Sequence, residues 1–367
     1  MQVTIPEFAK DFACAAGSCP DTCCQGWEII IDPDTLKYYQ QLTGELGEAA
    51  RNAIIYEDEP FFRFSEKGTC ALLDKNGLCK LQKAFGELAQ CYVCRTYPRF
   101  VRQYGGLREE GVSLSCPEAL RLLLESPLPL QFVSEEREFP IEPNEIDAEL
   151  FYALKQCRSL AFALIQDERY SFNDRLFLLV CFAEAVQYCL SCEAYPAIDR
   201  VRRRYFSPIG RSAVLRRKQA FRFRNSSKWR DLTEWTVFFS GLEILSPEWR
   251  SLLAQLAEKC RQNEHPRFCV CAEREKEYAG ILAATLYKYW LEAADDGILL
   301  PKVQQAVVCI LLLQELQKTV PEIGTVGLYH RIARELEHNE ENLAAMREAF
   351  LTAPCFSPAA LKRIICS

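Results

Sequence analysis

Histidine and methionine are scarce in this chain of 367 residues, at three and two copies. The three histidines, His265, His330 and His338, all fall in the last third, so little of the chemistry can run through imidazole. An apolar run long enough for a bilayer is lacking too. The best stretch, Val303 to Leu316, is interrupted by Gln304, Gln305, Gln314 and Glu315 and falls short of the ~20 residues a spanning helix needs. The opening Met1-Gln2-Val3-Thr4-Ile5-Pro6-Glu7 has neither the basic nor the apolar region of a secretory signal, so a cytoplasmic protein is expected. A surplus of positive charge is absent as well. Lys and Arg number 44 against 50 Asp and Glu, a net charge of −6, which argues against a general nucleic-acid coat. None of the 16 glycines forms the glycine-rich strand–helix turn of the common methyltransferase or dinucleotide folds, and alternating βαβ units are missing.

Cysteine is what the chain has instead: 19 copies, an odd number that leaves no complete disulfide pairing. In a reducing compartment such thiols are expected to serve as metal ligands rather than disulfides. With 49% hydrophobic and 26% charged residues, the chain can bury real cores, and its length suits two domains or three small ones.

The cysteines are unevenly spread. Nine lie in the first 116 residues: Cys14, Cys19, Cys23, Cys24, Cys70, Cys79, Cys91, Cys94 and Cys116. That part also carries short β-prone runs at 27–31 and 61–64. A hairpin is expected at 100–104 with Gly105-Gly106 as its two-residue turn. Asp32 followed by Pro33 is a helix start. Prolines 127, 129, 140 and 143 punctuate a passage that reads as a linker. Beyond it the pattern is helical nearly throughout: Leu150, Leu154, Cys157, Ala161 and Leu164 share one face, and Gly297 and Asn339 mark breaks. The expected fold is mainly α. Residues 1–126 form a small cysteine-rich α+β domain with short strands, 127–144 a linker, and 145–367 an irregular α-helical domain.

Thiolates are soft anionic ligands, and four of them suit tetrahedral zinc or the corners of an iron–sulfur cube. The spacing here is Cys14-x4-Cys19-x3-Cys23-Cys24, then Cys70-x8-Cys79-x11-Cys91-x2-Cys94, then Cys116. It does not match a zinc ribbon, which needs two short C-x2-C pairs. Nor does it contain C-x3-C-x2-C, so the usual radical adenosylmethionine enzyme is not supported. On an extended segment the adjacent Cys23 and Cys24 face opposite sides, so one can bind metal while the other packs or serves a second site. Most of Cys157, Cys181, Cys260, Cys309 and Cys355 read as small buried hydrophobes.

The combined ladder, with Gly26-Trp27 after Cys24, Cys70-Ala71-Leu72-Leu73, Gly77-Leu78-Cys79 and Cys94-Arg95-Thr96-Tyr97-Pro98-Arg99, resembles the flagellin lysine-N-methylases of the FliB type. Its front part is similar to a wider group of cysteine-rich zinc- or iron-chelating proteins. The resemblance is strong over about residues 8–120 and rests on length and helical character beyond. It implies methyl transfer from S-adenosylmethionine to lysine ε-amines of flagellin and an iron–sulfur cluster, 4Fe-4S with zinc as the alternative. The metal ligands it implies are Cys14, Cys19, Cys23, Cys24, Cys70, Cys79, Cys94 and Cys116, with Cys91 a spare thiol. Eight exceed the four that one cubane needs, so either two sites exist or half are structural.

Methylating an ε-amine requires a deprotonated lysine, an apolar slot for its stem and an in-line donor. Tyr92, Tyr97, Glu109 and Glu110 are candidates for positioning or proton removal, with surface or packing roles as the alternative. From Arg200 to Arg230 there are 12 basic residues and no acidic one, with Tyr205, Phe206, Phe221, Phe223 and Trp229 interleaved. This segment is a solvated helical face or a dock for an acidic protein, with nucleic acid the weaker reading. A non-catalytic metal-chelating protein with a helical partner-binding domain is the rival to the enzyme.

Overall fold

A computed structural model describes all residues except 67, 141–145, 223–227 and 263–271. Cys269, Cys271, His265, Phe223, Arg224 and Pro143 therefore lie outside the described residues, as does part of the expected linker. The chain is mainly α with one small mixed sheet, as its composition of elements predicted.

Strands β1 (Gln2–Pro6), β2 (Ile54–Ile55), β3 (Phe61–Phe62), β4 (Arg99–Tyr104), β5 (Leu107–Val112) and β6 (Phe132–Glu136) form two sheets. The larger has the order β4-β5-β1-β6. Its β4–β5 hairpin closes through Gly105, whose φ of 57° suits glycine, opposite the pair Tyr104 and Leu107. β1 runs parallel to β5 and antiparallel to β6. The passage expected as a linker thus contributes β6. Its Phe132 alternates inward to stack on Phe162 at 5.6 Å and meets Tyr287 at 5.0 Å, a burial that proline counting could not register.

Helix boundaries follow the capping residues. Asp32 accepts from the Thr35 amide at 3.0 Å and starts Pro33–Gln41. Ser171 caps Phe172–Ser191, and Asn339 caps Glu340–Thr352 by accepting from the Glu341 and Asn342 amides. Gly297, at φ 68°, ends Ala293–Asp296 in the left-handed conformation. Leu300–Thr319 is buried on nearly every side, its polar Lys302, Gln304, Gln314, Glu315 and Gln317 included, because it is the central core helix, wrapped by other helices. Among the described residues no helix is long and apolar enough to cross a membrane.

Among the described residues, buried side chains fall into two cores. The larger joins the four-stranded sheet to the helices, from Phe8 to Ile365. Within it Glu109 on β5 and Arg158 form a buried double hydrogen bond, and Arg158 also reaches the Tyr287 carbonyl. The smaller core lies within residues 24–94 and packs Ile29, Ile31, Tyr39, Phe62, Leu72 and Leu81 with five cysteines.

Candidate functional site

Seven of the nine N-terminal cysteines line one cavity of about 440 Å³: Cys14, Cys19, Cys23, Cys24, Cys79, Cys94 and Cys116. Its walls are Phe12, Trp27, Ile29, Val93 and Tyr97, and charged groups at its margin include Arg95, Arg99, Glu87 and Glu118. Segments far apart in the chain supply the thiols. Cys14 and Cys19 flank the one-turn helix Ala16–Ser18. Cys79, Cys91 and Cys116 sit at the N-caps of Lys80–Phe85, Tyr92–Thr96 and Pro117–Glu125. Cys70 and Cys79 lie on isolated bridges to Phe64 and Leu73, and the Cys70 amide donates to the Cys24 carbonyl at 2.8 Å.

The thiols divide into two neighbourhoods at the Cys23–Cys24 peptide. Cys14, Cys19, Cys23 and Cys116 act on one another electrostatically. Cys24, Cys70, Cys79, Cys91 and Cys94 form the second group, all within or against the smaller core. Cys23 and Cys24 are hydrogen-bonded at the seam, and Cys24 is the member that ionises: the bond from Cys23 outweighs burial and brings it down to about 6. In the Cys91–Cys94 pair the same bond lowers Cys91 and raises Cys94. Burial pushes Cys70 up to about 12 and Cys116 to about 11, against amides of Leu72 and of Ala119 and Glu118 that favour the thiolate. Cys91, expected as a spare thiol, is fully buried within the second group.

All nine N-terminal cysteines are free thiols. Among the described residues no three His, Cys, Asp or Glu side chains stand close enough, as placed, to hold a metal ion. The donor chemistry nevertheless suits a soft metal or an iron–sulfur cluster: thiols from five segments face one cavity, and Arg334, whose Nε is buried without a hydrogen-bond partner, acts electrostatically on Cys19 and Cys24 among them. Closing on such a group requires the sulfurs to be drawn inward.

Of the four oxygen candidates, only Tyr97 lines the cavity. Its hydroxyl lies 3.0 Å from Ser115 Oγ, its ring meets the Trp27 edge at 5.0 Å, and burial raises its pKa. Glu109 is consumed by Arg158, and Glu110 pairs with Arg108 and Arg137. Tyr92 is exposed, with its amide donating to Asp32. Three of the segment's twelve basic residues are paired with acids from elsewhere: Arg211 with Asp167, Lys218 with Asp174 and Lys228 with Glu315. Asp167 lies in the loop after Ala148–Ile165, and the other two acids lie in Phe172–Ser191 and Leu300–Thr319, so reading the segment in isolation overstated its free charge.

The sequence pattern missed the contact between the cysteine loop and the helix Thr325–Glu337. Asp21 accepts from Arg334 Nη1 at 2.7 Å and stands 2.8 Å from His330 Nε2, while Arg334 Nη2 donates to the Gln25 carbonyl. The guanidinium lies over the Trp27 ring at 4.9 Å. The available signal was His330 and Arg334, four apart on one helical face.

Residues 158–364 match the sequence family described as the FliB lysine N-methylase C-terminal domain. This covers more than half of the chain, which therefore belongs to that family. Over 132 residues the chain is 32% identical to the flagellar biosynthetic protein FliU of Salmonella muenchen, covering 34% of this chain and 78% of that protein. It is likewise 32% identical over 132 residues to lysine-N-methylases of Salmonella choleraesuis and Salmonella typhimurium, covering 34% of this chain and 33% of each of those. The match thus spans a third of those two methylases. No solved structure matches the chain.

Proposed function

We propose that this chain is a protein-lysine N-methyltransferase that uses S-adenosylmethionine, acts on flagellin, and carries an iron–sulfur cluster on its N-terminal thiols. The observation that carries the reading is one cavity lined by seven cysteines in a chain whose helical part belongs to the FliB lysine N-methylase family. The relatives named for flagellar biosynthesis and lysine methylation support the substrate and the reaction class.

S-adenosylmethionine supplies an electrophilic methyl group on a sulfonium. The chain's part is to present a neutral lysine amine in line with that carbon and to accept the proton that the substituted amine loses. Phe12, Trp27, Ile29 and Val93 offer an apolar wall for the lysine stem. Glu87 at the margin attracts the ammonium and can relay its proton to solvent. Tyr97, held by Ser115, is placed to orient the amine by accepting or donating one hydrogen bond. Thiolates among Cys14, Cys19, Cys23, Cys24, Cys70, Cys79, Cys94 and Cys116 hold the metal group, and Cys91 joins the second neighbourhood.

Anaerobic purification with iron, sulfide and zinc assays, followed by mass spectrometry of flagellin incubated with S-adenosylmethionine, tests the reading. Iron and sulfide in equal amounts together with mass gains of one methyl on lysines are expected. Metal without methyl transfer would favour a chelating protein, and zinc alone would replace the cluster.

A further inference from the structure

Asp21 sits between Cys19 and Cys23, so whatever fixes its carboxylate fixes the turn that presents Cys19, Cys23 and Cys24. Both of its oxygens are taken by the helix Thr325–Glu337, Oδ1 by Arg334 Nη1 at 2.7 Å and Oδ2 facing His330 Nε2 at 2.8 Å. Gln25 Nε2 also donates to Oδ1, at 3.2 Å. Arg334 does three things at once: it binds Asp21, caps the Gln25 carbonyl with its other arm and covers Trp27, whose indole N–H donates to the Cys23 carbonyl at 2.8 Å. The loop is therefore gripped at 21, 23 and 25, alternate positions across the cysteine pair. Gly26 adopts φ 87°, a left-handed backbone conformation that favours glycine.

The grip is anchored from behind. Glu335, the next residue, accepts from the amides of Leu245 and Ser246 at 2.8 and 2.9 Å, which ties the same helix to the start of Pro247–Gln262. His330 Nδ1 faces the Val326 carbonyl one turn back, so both ring nitrogens are directed. Arg334 is 7% exposed and His330 3%, so neither belongs to a solvated surface pair of small worth.

We propose that Arg334 and His330 are positioning residues for the metal-binding thiols: the family domain holds the Cys19–Cys24 loop in ligating shape through Asp21. The two cysteine neighbourhoods thus form a complete site only with the helical part docked. The inference rests on the metal-binding part of the proposed function and names no role in methyl transfer. Lysine at position 334 keeps the charge but cannot bind Asp21 and the Gln25 carbonyl with separate arms. Removing outer partners of metal ligands typically weakens metal binding by roughly 10–100-fold.

The test compares the full chain with Arg334→Lys, Asp21→Asn and the milder His330→Gln, by zinc and reconstituted-iron binding and by alkylation rates of single cysteines followed by mass spectrometry. Cys181, buried in the helical body, is the internal reference for global opening. In Arg334→Lys and Asp21→Asn, metal affinity should fall by about tenfold or more. Metal-free Cys19, Cys23 and Cys24 should alkylate faster with Cys181 unchanged, and His330→Gln, which keeps a donor toward Asp21, should fall between. Unchanged affinity and labelling would overturn the proposal, as would equal acceleration at Cys181 in all three variants, which would mean that these residues only hold the fold together. If the parent chain binds no metal, the metal reading fails by itself, and the labelling pattern still decides whether the helix positions the loop.

Discussion

Seventeen of the 20 residues of Leu300–Thr319 are buried, but none of the five in Tyr92–Thr96. That contrast runs through the molecule. The helical body surrounds long helices with one another and gains stability from sheer buried area. The smaller core has 12 buried residues, two-residue strands and isolated bridges, and Cys70 and Cys91 are among those 12. A region of that size rarely holds together on apolar contact alone and usually needs a metal or another cross-link. Thiols in the small core are thus expected to matter twice, for ligand and for fold, whereas Cys157, Cys181 and Cys309, deep in the body, matter as small apolar groups.

The widest effect expected falls on the body. Glu109→Ala leaves Arg158 as an unpaired buried charge and should cost about 3–5 kcal/mol in urea unfolding, while the double variant with Arg158→Met should recover much of it. Next, Cys70→Ser and Cys181→Ser each put a hydroxyl in a buried site and should each cost roughly 1–3 kcal/mol. Only Cys70→Ser should also lower bound metal, measured by elemental analysis; equal metal in both would erase the distinction between the two regions. Third, Asp32 caps Pro33–Gln41 and accepts from the Tyr92 amide at 2.7 Å, so Asp32→Ala should cost about 1–2 kcal/mol. Slight burial raises its pKa, but the Tyr92 and Thr35 amides outweigh it and leave the carboxyl below its ordinary value. Its stabilisation is therefore complete above the unfolded carboxylate range and is lost as pH falls through the lower folded value, a loss that Asp32→Asn should not show. Smallest of all, Arg121→Ala, whose partners Glu118 and Glu125 share an exposed helix face, should leave the unfolding midpoint unmoved.

Local chemistry made much of the fold legible. Asp32-Pro33, Gly297 and Asn339 act through their own backbones within a few residues, so their effect is written in adjacent letters. The same holds for Leu150, Leu154, Cys157, Ala161 and Leu164, all of which are buried on one face. The cysteine-lined cavity was legible by residue type, since thiols concentrate there and little else does. Pairings at long range were not legible. Neither β6 beside β1 nor Glu109 beneath Arg158 leaves a mark at its own position, because each depends on a partner brought in by the tertiary fold. Tyr92 opens a five-residue helix and Tyr97 is its C-cap; which of the two meets the cavity depends on packing that spacing does not carry.

The link from Asp21 to Arg334 spans 313 positions of the chain. At roughly 5–20 residues per second of synthesis, the loop bearing Cys19, Cys23 and Cys24 leaves the ribosome about 15–60 s before the helix that grips it. For that interval its thiols are on offer without their holder, open to metal, oxidant or chaperone, and the last third of translation decides when the site takes its final shape.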